Sequence, residues 1–364
     1  MKLLLFTDAW FPQVNGVVRT LNMVTEALKA SGDTVEIISP SDFKTVPCPT
    51  YPEIRLAIGS GRAIKKRLRS DDFDAVHIAT EGPIGYAARS ACVKAGIHFT
   101  TAYHTKFPEY VNVRSGLPLS WLYAAIRWFH KPSDGVMVAT PTLRQDLESH
   151  GFTNLKQWSR GVELSLFKPY PKSILPELND LPRPLMTYVG RVAVEKNIEA
   201  FLELDVPGSK LVVGDGPMLA ALQKKFPDVR FVGSKSGEDL AKHYAASDVF
   251  VFPSKTDTFG LVMLEALASG VAVAAYPVPG PLDVVGLNGT GVLPSMDKPI
   301  GALRDDLSEA IEVALKAESA DCRAYADHFS WENCAALFRS NLVCAQAGLS
   351  LPEPAGNPEA MAAQ

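Results

Sequence analysis

Short apolar runs of strand length alternate with longer amphipathic runs along most of this chain, and that alternation limits the folds open to it. The predicted strands are Leu3–Thr7, Thr34–Ile38, Ala75–Ala79, His98–Ala102 and Gly135–Ala139, then Leu185–Val189, Lys210–Val213, Val229–Val232, Val249–Phe252 and Val271–Ala275. The predicted helices between them are Gly16–Ser31, Gly82–Ala95, Pro118–His130 and Pro141–His150, then Asn197–Leu204, Met218–Phe226, Gly237–Ala246 and Leu261–Ala268. Two successive series of this kind predict an α/β protein with two Rossmann-like, doubly wound parallel-sheet domains that face a ligand-binding cleft.

A proline-rich stretch separates the two series and predicts the domain boundaries. We expect an N-terminal domain over residues 1–165, a linker over 166–184 and a C-terminal domain over 185–347. The last of these includes two further predicted helices, Ile300–Glu318 and Trp331–Cys344. Residues 348–364 are rich in Pro, Ala and Gly, which predicts a disordered tail.

Composition bounds the class of protein. The chain has 364 residues, 47% of them hydrophobic and 21% charged, which suits two globular domains. No apolar run approaches the roughly 20 residues that a membrane span needs, and the first residues predict a strand rather than a secretory signal. Five scattered cysteines without a C-x-x-C pair predict reduced thiols in the cytoplasm. No His/Cys cluster has metal-ligand spacing, so no metal site is predicted.

Charge is distributed unevenly along the chain. Residues 1–165 carry 19 Lys and Arg against 15 Asp and Glu, whereas the remaining residues carry 17 against 25. A basic first half on a chain of net charge −4 predicts a local anionic partner and no nucleic-acid binding.

The segment Pro253–Gly270 places two carboxylates, Asp257 and Glu265, eight positions apart. Asp257 lies in a polar loop, whereas Glu265 lies within a helix that is apolar all round and is therefore predicted to be buried. A buried carboxylate needs hydrogen-bond donors, and this helix contains no Lys or Arg. Its donors must come from elsewhere in the fold or from a ligand.

A second motif, G-R-V-A-V-E-K-N, follows the strand Leu185–Val189. Arg191 can hold two phosphate oxygens, and Lys196 adds charge at the start of a helix, so the pair suits a diphosphate. Gly16 opens the first long helix, where a glycine lets backbone approach a phosphate. The chain has neither G-x-G-x-x-G nor a Walker loop, which argues against a dehydrogenase or a kinase.

Other candidate residues lie in turns that follow strands. The turns at Gly214 and Val232 could bracket a flat base through backbone contacts, or could be ordinary βα turns. His104 follows the strand His98–Ala102 in A-Y-H-T, a position that directs it towards the predicted cleft.

Together these motifs resemble one family, the retaining, sugar-nucleotide-dependent glycosyltransferases of the GT-B fold, glycosyltransferase family 4. The resemblance runs from about Lys2 to Phe338. Its most specific parts are F-P-Q-V-N-G-V-V-R-T-L, A-Y-H-T, G-R-x4-K, G-D-G-P and the spaced carboxylates. The chain also looks similar to bacterial glycolipid synthases that glycosylate diacylglycerol, and to α-mannosyltransferases of the family.

The resemblance implies a role for each matching residue. Gly16 would hold the distal phosphate, Arg191 and Lys196 would neutralise the leaving diphosphate without a metal or other cofactor, and Glu265 would bind the ribose. Asp257 would hold the transferred sugar, and His104 would lie beside the anomeric carbon. Donor contacts from backbone N–H groups are implied at Phe259, Gly260 and Leu261. The family usually has Glu where this chain has Asp257, which is one methylene shorter.

Two stretches of the first half suit a lipid acceptor. Five cations lie between positions 62 and 69, in a pattern that predicts a basic amphipathic helix on an anionic membrane. They are Arg62, Lys65, Lys66, Arg67 and Arg69. The stretch Leu117–His130 mixes basic residues with aromatic ones, among them Trp121 and Trp128, as headgroup interfaces do. Both stretches could instead be ordinary surface or core helices. Asp8, just after the first strand, is assigned to the same acceptor side.

These expectations combine into a lipid glycosyltransferase that is cytoplasmic and peripheral on the inner face of the cytoplasmic membrane. The preferred donor is a UDP-sugar, either UDP-glucose or UDP-glucuronate, because Lys106, Arg160 and His104 could meet a uronate carboxylate. GDP-mannose remains the serious alternative, as does a soluble or polysaccharide acceptor. A sugar-nucleotide epimerase and a non-catalytic nucleotide-sugar binder are further alternatives.

Overall fold

The computed structural model describes residues 1–13, 15–48, 54–70, 72–255, 259–293 and 296–353. The strands are β1 (Lys2–Phe6), β2 (Thr34–Ile38), β3 (Lys44–Pro47), β4 (Arg55–Ile58), β5 (Ala75–Ile78), β6 (Thr100–Tyr103), β7 (Gly135–Val138), β8 (Leu155–Gln157), β9 (Leu185–Val189), β10 (Ser209–Val213), β11 (Arg230–Phe231), β12 (Val249–Phe252), β13 (Ala272–Ala275) and β14 (Gly301–Leu303). The α-helices are α1 (Gly16–Ala30), α2 (Gly61–Leu68), α3 (Pro83–Ala95), α4 (Phe107–Ser115), α5 (Leu119–His130), α6 (Pro141–Ser149), α7 (Ile198–Leu202), α8 (Leu219–Lys225), α9 (Gly237–Ala246), α10 (Leu261–Ala268), α11 (Pro281–Val284), α12 (Leu307–Ala314), α13 (Ser319–Ala326) and α14 (Trp331–Asn341). Short 3₁₀ turns cover Pro40–Asp42, Pro176–Leu178, Val194–Lys196 and Asp327–Phe329.

The first sheet is parallel throughout and has the strand order β2-β1-β5-β6-β7-β8. Alternate residues of β1 bury against opposite layers, as expected for a strand covered on both faces. Leu4 and Phe6 join a cluster with α2, α3 and the end of α5, whereas Leu3 and Leu5 join one with α1 and α14. The predicted first doubly wound sheet is confirmed. The antiparallel hairpin β3–β4 lies outside it.

The second sheet is also parallel and has the order β11-β10-β9-β12-β13-β14. The strand order reverses between β9 and β12, as in a Rossmann fold. The prediction of one helix over Ile300–Glu318 was wrong, because this stretch begins with β14 and continues as α12. Gly301, Ala302 and Leu303 are all buried beside β13, and so short an apolar run carries no periodicity that separates strand from helix.

The chain divides into two compact units, and their bounds differ from the predicted ones. Unit 1 comprises Met1–Ser159 together with the C-terminal segment that begins at Trp331, and unit 2 comprises Arg160–Ser330. The helix α14 therefore belongs to unit 1, although the sequence placed it in the second domain. The reason is its apolar stripe, which packs against α1 and β1 and is formed by Trp331, Cys334, Ala335 and Phe338.

The segment predicted to be a linker is part of a folded unit in the structure. Residues 166–184 lie within unit 2, where Leu175 and Leu178 are buried. Of the predicted disordered tail, residues 354–364 lie outside the described part of the chain. The five cysteines are all free thiols, in agreement with the absence of a C-x-x-C pair.

Candidate active site

The turns after β9 and β12 meet at the point where the strand order of unit 2 reverses. Nδ2 of Asn197, after the first turn, donates a hydrogen bond of 3.1 Å to the carbonyl oxygen of Pro253 in the second. Asn197 takes a left-handed backbone conformation with φ of 52°, which sets the start of α7. Parallel α/β sheets bind ligands at such a point, so the candidate donor site is built around these two turns.

Arg191 and Lys196 both lie on the turn after β9. The Arg191 side chain is 67% exposed, and its nearest ion-pair contact is Glu195 at 3.9 Å. The hydroxyl of Tyr188 donates a hydrogen bond of 2.7 Å to the carbonyl oxygen of Arg191 and so fixes the backbone below the guanidinium. Lys196 ends the 3₁₀ turn Val194–Lys196. The turn is thus fixed at its backbone while the guanidinium is open to a phosphate, although the two roles remain predictions.

A cavity of about 220 Å³ opens beside Arg191, at the carboxyl ends of β9 and β10. Its polar and glycine lining is formed by Gly190, Arg191, Gly214, Asp215, Ser234 and Lys235. A Cβ on Gly214 would lie 1.9 Å from the carbonyl oxygen of Gly190, so the two turns can pack this closely only with glycine there. This close packing explains why position 214 is a glycine, independently of the base contact predicted for it.

The sequence analysis assigned no role to three polar residues of this cavity, although Asp215 lies in the quoted motif G-D-G-P. Lys235 contacts Asp239 at 3.1 Å, and Asp215 accepts a hydrogen bond of 2.6 Å from the N–H of Gly216. Ser234 lies beside Lys235. The sequence signal for Ser234 and Lys235 was the G-S-K that follows Val232, in a turn predicted to make backbone contacts only. The N–H of Val232 itself donates to the carbonyl oxygen of Val212 and continues the sheet.

Glu265 is buried in α10, as predicted, with 2% of its surface exposed. The donor expected from elsewhere in the fold is the hydroxyl of Tyr244, which lies 3.0 Å from Oε2. Tyr244 is itself fully buried between the rings of Phe167 and Phe250. The carboxylate is therefore held by the protein before any ligand arrives.

The start of α10 explains one glycine of the motif. Gly260 precedes the helix with φ of 81°, and a Cβ there would lie 2.7 Å from Cε of Met263. Phe259 is buried and Leu261 is the first residue of the helix. Asp257 lies outside the described residues, so its predicted contact with the donor sugar has no structural account.

The other two residues predicted for the donor side, Gly16 and His104, lie in unit 1. Gly16 is the first residue of α1, and the side chain of Asn15 caps this helix by accepting from the N–H groups of Val17 and Val18, each at 3.0 Å. Apart from its chain neighbours and the backbone of its own helix, no atom of the described residues lies within 4 Å of the position that a Gly16 Cβ would take. His104 follows β6, and its ring packs edge-on against the buried Trp158.

Asp8, which the sequence assigns to the acceptor side, is buried in unit 1, and its contact with an acceptor stays a prediction. It is 7% exposed, and its carboxylate accepts hydrogen bonds from the N–H groups of Ile84 at 2.9 Å and Gly85 at 3.1 Å. It also accepts from the hydroxyl of Thr80 at 3.0 Å. Burial raises the pKa of Asp8 above its usual range. These hydrogen bonds clamp the turn that leads into α3.

The predicted basic helix exists as α2, but its amphipathic faces are used differently from the prediction. Ile64 and Leu68 pack in the core of unit 1, so α2 has no apolar face left for a membrane. Arg67 is held by the carboxylate of Glu36 at 2.6 and 2.8 Å and by Asp72 at 2.6 Å. The cations that remain exposed are Arg62, Lys65, Lys66 and Arg69.

The predicted aromatic stretch forms α5, and both tryptophans of this helix are exposed. Trp121 is 69% exposed and Trp128 is 55% exposed, whereas Tyr123 and Phe129 are buried. The guanidinium of Arg89, on α3, lies 3.8 Å from the ring centroid of Trp128.

In the part of the chain that the structure describes, no group of three or more His, Cys, Asp or Glu is placed to hold a metal ion. No helix in that part of the chain is long and apolar enough to cross a membrane.

Comparison with known proteins agrees with this arrangement. The family model "Glycosyltransferase Family 4" matches residues 14–166, and "Glycosyl transferases group 1" matches residues 176–328. The chain belongs to glycosyltransferase family 4. Membership in this family makes it a glycosyltransferase.

Two relatives and one solved structure illustrate how similar this chain is to known proteins. A GDP-mannose-dependent alpha-mannosyltransferase of Mycobacterium tuberculosis is 29% identical over 85% of this chain and 87% of its own. An alpha-monoglucosyldiacylglycerol synthase of Streptococcus pneumoniae is 27% identical over 87% of this chain and 79% of its own. The solved structure of a sucrose-phosphate synthase from Thermosynechococcus elongatus superposes with a TM-score of 0.68 at 21% identity, over 93% of this chain and 97% of its own. The fold is that of the GT-B glycosyltransferases, as predicted.

Proposed function

We propose that this family 4 enzyme is a retaining hexosyltransferase that moves a sugar from a UDP-sugar to a membrane lipid such as diacylglycerol. The observation that carries the lipid acceptor is one face of unit 1, formed by α2, α3 and α5. The exposed cations in and directly after α2 are Arg62, Lys65, Lys66 and Arg69, and the three helices contain no Asp or Glu, in a chain of net charge −4. We call it the cationic face.

Aromatic side chains lie next to the charges of the cationic face. Tyr86, on α3, is 40% exposed and stacks with Trp128 at a ring separation of 6.3 Å. Arg89 donates hydrogen bonds of 2.7 Å to the carbonyl oxygens of Trp128 and Phe129, which ties α3 to α5. Interfacial aromatics beside basic residues suit the headgroup region of an anionic membrane. This supports a peripheral position on the inner face of the cytoplasmic membrane.

The proposed donor chemistry rests on two cations of the turn after β9, Arg191 and Lys196. When a donor is bound, Arg191 and Lys196 neutralise the diphosphate as it leaves, so that no metal is required for this charge. Glu265 binds the ribose hydroxyls, and His104 lies beside the reacting carbon. The acceptor then attacks from the side that the diphosphate leaves, through a short-lived oxocarbenium-like ion. A phosphate oxygen removes the acceptor's proton, and the anomeric configuration is kept.

The identity of the donor sugar has less support than the lipid nature of the acceptor. Lys106, one of the residues expected to meet a uronate, already pairs with Asp146 at 3.0 Å, which favours UDP-glucose over UDP-glucuronate. The name of the pneumococcal relative, a glucosyldiacylglycerol synthase, supports the same sugar and acceptor. GDP-mannose is the second candidate because the mycobacterial relative is named for it.

Product analysis tests the proposal. The protein is incubated with UDP-glucose, UDP-glucuronate or GDP-mannose and with diacylglycerol in anionic vesicles, with and without EDTA, and the lipid extract is analysed by mass spectrometry and NMR. We expect an α-linked glucosyl lipid whose yield EDTA does not change. Mannosyl lipid would establish the alternative donor. Transfer only to a soluble or polysaccharide acceptor, or epimerised donor without transfer, would overturn the lipid proposal.

A further inference from the structure

A histidine and a glutamate form a buried pair in unit 1 that the proposed chemistry does not use. Nε2 of His130, the last residue of α5, lies 3.1 Å from Oε1 of Glu81, in the turn between β5 and α3. Their side chains are 0% and 4% exposed. Among the described residues, only Oε1 of this carboxylate has a hydrogen-bond partner.

The hydrogen bonds behind His130 fix where its protons lie. Ser133 donates its one hydroxyl proton to the carbonyl oxygen of His130 at 2.8 Å, so its oxygen accepts from Thr101 at 3.2 Å. The hydroxyl oxygen of Thr101 must then accept from Nδ1–H of His130, 2.8 Å away. With Nδ1 engaged by Thr101, Nε2 is the ring nitrogen that faces Oε1 of Glu81, 3.1 Å away.

The turn that carries Glu81 is rigid for reasons of packing. Asp8 clamps it through the N–H groups of Ile84 and Gly85 and the hydroxyl of Thr80. A Cβ on Gly82 would lie 2.3 Å from Cγ of Asp8, so only glycine allows this approach. The turn therefore presents the Glu81 carboxylate at a fixed place.

That place is the point where the strand order of the first sheet reverses. Glu81 follows β5, which pairs with β1 at the reversal, and His104 follows the neighbouring strand β6. Ligands of parallel α/β sheets bind at the carboxyl ends of strands there. Buried ion pairs add little net stability compared with apolar side chains of the same volume, so stability alone gives no reason for this one.

We propose that Glu81 binds the hydroxyl group of the acceptor, and that His130 is its positioning residue. Oε1 is held by His130, so the lone pairs of Oε2 are left to accept a hydrogen bond from an acceptor hydroxyl. The inference rests on the proposed transfer to a hydroxyl acceptor, and it names the residue of unit 1 that recognises that hydroxyl.

The test compares the wild type with Glu81→Gln, which keeps the shape and removes the charge. Because hydrogen bonds to charged groups are the stronger ones, we expect the acceptor KM to rise about tenfold or more. The donor KM and the slow hydrolysis of donor without acceptor should not change. His130→Leu should behave like Glu81→Gln, and His130→Gln, which keeps an N–H donor, should recover part of the loss.

A matched control is available in the same unit. His98 and Asp134 form another His–carboxylate pair in unit 1, 2.9 Å apart and directly before β6 and β7, at the amino ends of the strands. Asp134→Asn should leave the acceptor KM unchanged. An acceptor KM that is equal in the wild type and Glu81→Gln would overturn the inference.

A binding measurement separates this inference from the proposed function. The thermal shift caused by dioctanoylglycerol is recorded without donor for the wild type and Glu81→Gln. A shift in the wild type that the variant lacks supports the inference even where no sugar is transferred, in which case the proposed function alone fails. Equal shifts in both, including none in either, would overturn the inference.

Discussion

The hydroxyl of Tyr244 donates a hydrogen bond of 3.0 Å to Oε2 of Glu265, and both side chains are buried within unit 2. The pair joins α9 to α10, and it orients the carboxylate that family resemblance assigns to the donor ribose. A carboxylate fixed in this way loses little freedom when a ligand binds, so the protein has met part of the ordering cost in advance.

Replacing Tyr244 with Phe should weaken donor binding without removing it. The variant keeps the packing against Phe167 and Phe250 but leaves Oε2 of Glu265 without its hydroxyl donor. A lost hydrogen bond to a charged group predicts a donor KM raised by about tenfold, with a smaller change in kcat. Steady-state kinetics with varied donor measure this. Tyr325→Phe, a buried tyrosine of unit 2 that bonds the carbonyl oxygen of Val284, is the control and should lower stability only. An unchanged donor KM in folded Tyr244→Phe would show that the hydrogen bond does not orient the site.

Substitutions of Glu265 and Asp257, the two carboxylates of the motif, should have different kinetic effects. Glu265→Ala should raise the donor Kd strongly because the ribose contact is lost in ground state and transition state alike. Asp257→Ala should mainly lower kcat because its predicted contact is with the sugar that moves. Donor Kd from calorimetry and kcat from single-turnover transfer distinguish the two. If the effects came out exchanged, the roles would have to be exchanged as well.

Membrane binding should depend on the cationic face and not on Arg67. Each Ser substitution at Arg62, Lys65, Lys66 or Arg69 should weaken binding to anionic vesicles by about fivefold, since one basic residue near such a surface contributes about 1 kcal/mol. Vesicle flotation at low and high salt measures this, with the exposed Lys224→Ser of unit 2 as control.

Two further variants distinguish side chains that bind the membrane from one that stabilises the fold. Trp121→Ala together with Trp128→Ala should lower the binding that remains at high salt, where charge is screened. Arg67→Ala should instead lower the free energy of unfolding by about 1 kcal/mol, because its partners Glu36 and Asp72 are within the protein. Equal flotation with and without anionic lipid would contradict the account of this face.

Stability should fall in mild acid partly because of His77. Its ring is fully buried against Phe338, with Nδ1 2.8 Å from the hydroxyl of Thr100, and burial lowers its pKa from 6.5 to about 3. The unfolded chain therefore binds a proton below pH 6.5 that the folded chain binds only near pH 3. Stability from this source is full above pH 6.5 and is lost as the pH falls towards 3.

Between pH 7 and pH 5 the loss from His77 should be about 2 kcal/mol. The free energy of unfolding from urea titration, measured at both pH values for the wild type and His77→Asn, tests this. We expect His77→Asn to be less stable than the wild type at pH 7. The difference between their free energies of unfolding should be about 2 kcal/mol smaller at pH 5. Parallel pH dependence in the two proteins would exclude His77 as the cause.

The sheets could be predicted because buried parallel strands read as short apolar runs between helical patterns. Their order, and the contact of α14 with α1, could not be predicted, because the apolar stripe of α14 fits any apolar surface. The burial of Glu265 followed from the all-apolar helix around it. Its donor Tyr244 lies 21 positions earlier in the sequence, where nothing local marks it as a partner.

Charge patterns were predictable only in part. The run from Arg62 to Arg69 predicted a basic helix correctly, but the ion pairs of Arg67 depend on residues that tertiary structure brings together. Glu81 and His130, separated by 49 positions, gave no sequence signal at all. Pairs of this kind are found only once the strand ends are placed side by side.

The most direct test of the central claim is nucleotide release from UDP-glucose and GDP-mannose, with and without diacylglycerol in anionic vesicles. We predict UDP release that diacylglycerol stimulates in the wild type and that Glu265→Ala abolishes at the same donor concentration. Absence of UDP and GDP release under every condition would contradict the assignment of a lipid glycosyltransferase.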